Sequence, residues 1–121
     1  MIHHVALEVA PERERECIAF YSLLGFREVD PPASLSDRAS WLEREGTQIH
    51  LLRTDEPATL PNGHAAVVVP RYEQTLERLR AAGHEVESRT AHWGSPRAFV
   101  RDPAGNRVEI MEFPPAAADA G

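Results

Sequence analysis

The 121-residue sequence predicts an α+β fold: two βαβββ modules in one chain, forming a curved half-barrel of strands with the helices outside. Three observations carry it. The same order of elements is written twice, from HHVALEV to TQIHLLR and again from GHAAVVV to NRVEIMEF. The register of the repeat holds, since His64 follows His4 by 60 positions and Glu109 follows His50 by 59. Each copy also closes on a hairpin with a glycine ahead of its last strand, Gly46 and Gly105.

The elements follow in order. Residues 2–9 read as a strand. PERERECIAFYSLLG offers Pro11 at a first helical turn, apolar Ile18, Phe20, Tyr21, Leu23 and Leu24 at helical spacing, and Gly25 as a C-terminal cap. FREVD is a strand ended by Pro31 and Pro32. ASWLERE and TQIHLLR form a hairpin across Glu45-Gly46. TDEPATLPNG then interrupts the pattern as a linker. In the second copy HAAVVV is a strand, and RYEQTLERLRAAG is a helix with Tyr72, Leu76 and Leu79 on one side, closed by Gly83. HEVESR is a strand, and PRAFVR pairs with NRVEIMEF around Asp102-Pro103-Ala104-Gly105-Asn106. The whole makes one domain, residues 1–113, with module one at 1–54, a linker at 55–63 and module two at 64–113. Residues 114–121, behind a Pro-Pro stop, read as a disordered tail.

Composition narrows the function classes. Thirteen basic against nineteen acidic residues give a net charge of −6, and no basic run occurs, so nucleic acid is not an expected partner. No apolar run reaches membrane-spanning length and no signal peptide is recognisable, so a cytoplasmic protein without membrane attachment is expected. The lone Cys17 sits in a helical pattern as a packing residue.

Strand parity then selects a set of residues. Val5, Leu7 and Val9 point to the helices, while His4, Ala6 and Glu8 point away. By the same alternation Gln48 and His50, then His64, then Glu109 with Arg107 and Met111, share the face away from the helices. Three imidazoles and a carboxylate suit a divalent ion such as Zn, Ni, Fe, Co or Mn, though parity alone leaves an ordinary solvated face open. His3, His84 and His92 lack partners at the repeat spacing and read as strand-end, surface or loop residues. Hairpin pairing extends the site: a two-residue turn at Glu45-Gly46 sets Trp41 opposite His50, and a five-residue loop sets Phe99 opposite Glu109 and Arg97 opposite Met111. Trp41, Phe99, Gln48 and Trp93 would then wall a pocket, with Arg97 anchoring a carboxylate or phosphate.

HHVALEV, FYSLLGFREV, GHAAVVV and above all FVRDPAGNRVEIMEF resemble the vicinal oxygen chelate superfamily across residues 2–113. That superfamily includes glyoxalase I, methylmalonyl-CoA epimerase, fosfomycin-type thiol transferases, extradiol dioxygenases and metal-free bleomycin-binding proteins. The resemblance places its metal-ligand positions on His4, His50, His64 and Glu109, one divalent metal per site. It implies a glyoxalase-I-like lyase or isomerase that stabilises an enediolate or oxyanion on a small oxygenated substrate, with Glu109 and His50 as catalytic groups: either all four residues bind the ion, or His4, His64 and Glu109 form a two-His, one-carboxylate triad with His50 as acid or base. A homodimer with sites shared between subunits is also implied. Departures are visible. His50 stands where glyoxalase I commonly has Glu or Gln, Glu8 where several such enzymes place a basic residue for glutathione, and Ala6 where fosfomycin-type transferases usually have Thr. The alternatives are a metal-independent binder of drugs or aromatic ligands, an extradiol dioxygenase and a fosfomycin-type thiol transferase.

Overall fold

The computed structural model describes residues 1–115; residues 116–121, most of the segment expected to be a tail, lie outside the described residues. Eight strands and two helices follow in chain order: β1 His4–Val9, α1 Glu14–Ser22, β2 Arg27–Val29, β3 Ala39–Arg44, β4 Thr47–Arg53, β5 Ala65–Val68, α2 Tyr72–Ala81, β6 Val86–Arg89, β7 Arg97–Arg101 and β8 Arg107–Met111. They make two four-stranded sheets of identical topology, β1-β4-β3-β2 and β5-β8-β7-β6. The two-module α+β architecture predicted from the repeat is present. It is built as two separate sheets and no closed barrel.

Local chemistry explains the boundaries. β1 starts at His4 rather than at residue 2, because its parallel ladder with β4 begins at His4 opposite Gln48 and the Gln48 N–H already bonds to the His3 carbonyl. Ile2 has no strand to pair with and stays exposed. The first helix begins as a 3₁₀ turn, Pro11–Arg13, in which the Arg13 N–H reaches the Ala10 carbonyl at 2.9 Å. The hairpin of β3 and β4 turns through Glu45 at φ +50° and Gly46 at φ +83°, the two left-handed residues of a type I′ turn. That turn sets Trp41 opposite His50. The second hairpin sets Phe99 opposite Glu109 and Arg97 opposite Met111, the register the loop length predicts.

The helix-facing sides of both sheets share one core. Val9, Phe20, Tyr21, Leu51, Leu79 and Ile110 are fully buried in it. Burying such side chains contributes about 1.5–3 kcal/mol each. Cys17 is buried there too, and burial with the nearby Asp102 charge pushes its thiol up to about 12, as suits a packing residue.

Each module's hairpin grips the end of the other module's first strand. Asn106 donates from Nδ2 to the Glu8 carbonyl at 3.1 Å, and Arg44 donates from Nη1 to the Val68 carbonyl at 2.7 Å. Asp102 anchors this joint. It is 3% exposed and accepts from the Tyr21 hydroxyl at 2.8 Å, from Asn106 Nδ2 at 3.1 Å, and from the N–H groups of Ala104 and Asn106 at 2.9 and 2.8 Å. The DPAGN segment is thus turn chemistry, and it also ties module two to the helix of module one.

Candidate functional site

Alternation along β1 and β4 leaves His4, Gln48 and His50 on the face opposite the core, as parity predicts. His50 lies between two rings. Trp41, its cross-strand partner, stacks on it at 4.2 Å with planes 2° apart, and His4 stacks on its other side at 4.0 Å and 20°. His50 Nε2 is 2.8 Å from Gln48 Oε1; since an amide oxygen only accepts, Nε2 is the protonated nitrogen. Gln48 is itself held by donating to Glu43 at 3.0 Å. Burial, then the His4 and His3 charges, lower the His50 pKa below its ordinary 6.5. His3 joins this group more closely than its parity suggests, its Nδ1 being 3.0 Å from His4 Nδ1.

Module two builds a second pair. His64 sits just ahead of β5 and Glu109 in the middle of β8, with His64 Nε2 at 2.9 Å from Glu109 Oε1. His64 Nδ1 is 2.8 Å from the Asn62 carbonyl and so must carry a proton. A neutral His64 would then present a bare nitrogen to a bare carboxylate oxygen. Both ring nitrogens thus face acceptor oxygens, and an Nδ1–H tied to a carbonyl is the usual second-shell partner of a metal-binding histidine. Arg97 donates to the other Glu109 oxygen at 3.3 Å and to the Thr90 carbonyl at 2.7 Å. Phe99 meets His64 edge-on at 4.8 Å. Trp93 lies near Arg97, whose guanidinium is 5.7 Å from its ring, and donates to the Phe113 carbonyl at 3.2 Å.

The four residues singled out from the sequence therefore come together as two pairs, His4 with His50 and His64 with Glu109. A cleft of about 570 Å³ carries residues of both edge strands, including His4, Gln48, His64 and Ala66, while His50, Glu109, Trp41, Phe99, Trp93 and Arg97 do not line it. Among the described residues, no group of three or more His, Cys, Asp or Glu side chains of one chain is arranged to hold an ion. Each pair has metal-ligand chemistry, but among the described residues neither pair gains the third donor that such an ion needs.

Glu8 and His84 gain partners that local patterning does not show. Glu8 accepts from the Ala58 N–H at 2.9 Å, so its carboxylate pins the linker. His84 lies in the loop between α2 and β6, half-buried, with its ring edge-on to Phe20 at 5.0 Å. His92 is exposed in a loop. Sequence reasoning passed over Arg107. Its guanidinium lies 3.7 Å from the Phe99 ring centroid, and the only available signal was its shared parity with Glu109.

Residues 5–111 match the family model of the glyoxalase-like domain. Among solved structures, the fold is similar to a protein from Bacillus anthracis assigned to the glyoxalase family, with 29% identity, a TM-score of 0.82, and 92% of this chain and 93% of that one covered. It is also similar to lactoylglutathione lyase from Agrobacterium tumefaciens, at 21% identity and a TM-score of 0.69, covering 92% of each chain. A bleomycin resistance determinant encoded on transposon Tn5 shares the fold at 15% identity and a TM-score of 0.64, with 89% of this chain and 95% of that one covered. No curated protein matches the sequence. With the repeat, the paired sheets and a family match across nearly all of its length, the chain belongs to the glyoxalase-like family of the vicinal oxygen chelate superfamily.

Proposed function

We propose that the chain is a divalent-metal-dependent enzyme, a glyoxalase-I-like lyase or isomerase acting on a small oxygenated substrate, with each site completed by two copies of the chain. The observation that carries this reading is the division of four donors into two preformed pairs. His4 and His50 of one copy with His64 and Glu109 of a second would hold one ion, and the ion would supply Lewis-acid stabilisation of neighbouring substrate oxygens. The other roles belong to this chain's side chains. Glu109 is the proton acceptor, its carboxylate aimed by His64 on one oxygen and Arg97 on the other. Phe99 and Trp41 wall the substrate in. His50, with its pKa lowered, is neutral at pH 7 and free to accept a proton or a metal through Nδ1.

Elemental analysis of the untagged protein, beside His64→Ala, tests this. About one metal per chain in the wild type and none in the variant is the expected result, followed by turnover of methylglyoxal with one of several thiols. A wild type that is metal-free and cannot be loaded would sink the reading.

One observation favours a second reading, a metal-independent binder of flat ligands. Trp41, His50 and His4 form a three-ring stack whose outer faces suit an aromatic guest. Ligand-induced quenching of tryptophan fluorescence, unchanged by EDTA, would support it; quenching abolished by EDTA would exclude it.

A further inference from the structure

Three guanidiniums surround the Phe99 ring, with Arg107 at 3.7 Å from its centroid, Arg97 at 5.5 Å and Arg89 at 5.8 Å. Two of them are neutralised, Arg97 by Glu109 at 3.3 Å and Arg89 by Glu87 at 2.7 Å. Arg107 has no carboxylate partner among the described residues. Its hydrogen bond runs from Nη1 to the Asn62 carbonyl at 3.1 Å. Arg101, directly opposite it across β7 and β8, likewise donates only to carbonyls, those of Leu60, Pro61 and Gly105. Like charges placed directly opposite on paired strands repel.

Both arginines line a cleft of about 760 Å³. Carboxylates line it as well, but Glu16 is tied to Arg13, Glu87 to Arg89, and Asp102 is buried and taken up by Tyr21, Asn106 and two backbone N–H groups, which leaves Glu85 as the exposed carboxylate without an ion-pair partner, among the described residues, beside the two guanidiniums. Stacking on Phe99 holds the Arg107 plane in place, so its remaining N–H groups form a preset fork. Such a fork matches the two oxygens of a carboxylate or phosphate. Arg97, the anchor expected from the hairpin register, is already held between Glu109 and the Thr90 carbonyl, which makes it a positioning residue for Glu109.

We propose that Arg107 is the specificity-determining anchor for an oxyanion group of the substrate, and that the substrate is a small acid. The placement near a proton acceptor rests on the enzyme reading above. Arg107 and Glu109 are two residues apart on one face of β8, so their backbones are about 7 Å apart. That spacing fits an acid whose anionic group lies a few bonds from the carbon that loses its proton.

The test follows the arginine Nε–H signals of the ¹⁵N-labelled full chain during titration with pyruvate, methyl pyruvate and inorganic phosphate. Pyruvate or phosphate should move the Arg107 signal saturably, the neutral ester should not, and the stronger of the two anions assigns the group as carboxylate or phosphate. Arg107→Gln should weaken that anion about tenfold or more, and Arg107→Lys by less. If Arg107→Gln does not fold, the wild-type signal and Arg107→Lys decide the matter. An Arg107 signal unmoved by both anions, or equal affinity in Arg107→Gln, overturns the anchor. An anion held by Arg107 in a protein that takes up no metal supports the anchor and overturns only the enzyme reading. Metal uptake with anion binding indifferent to Arg107 does the reverse.

Discussion

Asp102 shows how much one side chain settles. A carboxylate at 3% exposure is tolerable only when its oxygens are occupied, and here Tyr21, Asn106 and two backbone N–H groups occupy them. Tyr21→Phe removes one donor and leaves the rest, so we expect a loss of about 1–3 kcal/mol in urea denaturation. Tyr21 itself stays protonated at any ordinary pH, because burial and then the Asp102 charge raise its pKa well above 10. His50 carries the opposite kind of shift. Its pKa is lowered in the folded chain, so on acidification the unfolded chain takes up the proton first. Its contribution to stability is full above about pH 6.5 and is lost as pH falls below that value. Denaturation midpoints measured from pH 7 to pH 5 should therefore fall less steeply for His50→Gln than for the wild type. Equal slopes would mean that His50 is not the group responsible.

At the scale of elements, the repeat works because each module solves the same local problems alike. Gly25 and Gly83 end the two helices at φ +94° and +93°. A Cβ on Gly83 would meet no atom within 4 Å, so Gly83→Ala tests the backbone conformation alone. It should cost about 1–2 kcal/mol in thermal or urea melts. A neutral result would show that the helix end relaxes to another conformation. In α2, Leu79 is fully buried, and Leu79→Ala should cost about 2–5 kcal/mol through lost transfer energy and the cavity left behind. The strands position the site by the same economy. Period-two alternation sends Ile49 and Leu51 to the core and His50 between them to the opposite face, so a single ladder register carries both packing and chemistry.

For the whole molecule, the two donor pairs set the question. If sites are shared between copies, His50→Ala and His64→Ala should each be metal-poor alone, yet mixed chains should recover about a quarter of the wild-type metal. Half of randomly mixed dimers are hybrids, and each hybrid carries one intact site of two. Elemental analysis after exchange reads this directly, and no recovery would mean that each chain builds its site unaided. The two modules are joined mainly by their common core, by Asp102 and by the reciprocal hairpin contacts to Glu8 and Val68. The Tyr21–Asp102 and Asn106–Glu8 bonds link positions 81 and 98 residues apart, a closeness that no local pattern announces.

What the sequence by itself determined is whatever follows from short-range periodicity. The order of elements, the type I′ turn at Glu45-Gly46, the pairing of Trp41 with His50 and of Phe99 with Glu109, and the face shared by His4, His50, His64 and Glu109 all derive from alternation and turn length. Only the tertiary structure decided how those residues meet. It divided four donors into two pairs, stacked His50 between Trp41 and His4, gave Glu8 to the linker, paired Arg97 with Glu109 and set Arg107 over Phe99 with a carbonyl in place of a carboxylate partner among the described residues. Parity names the side of a sheet on which a residue lies, but distance across that side depends on twist, on where the linker runs and on which side chains compete for each charge. Those are long-range properties, set once both sheets pack on one core.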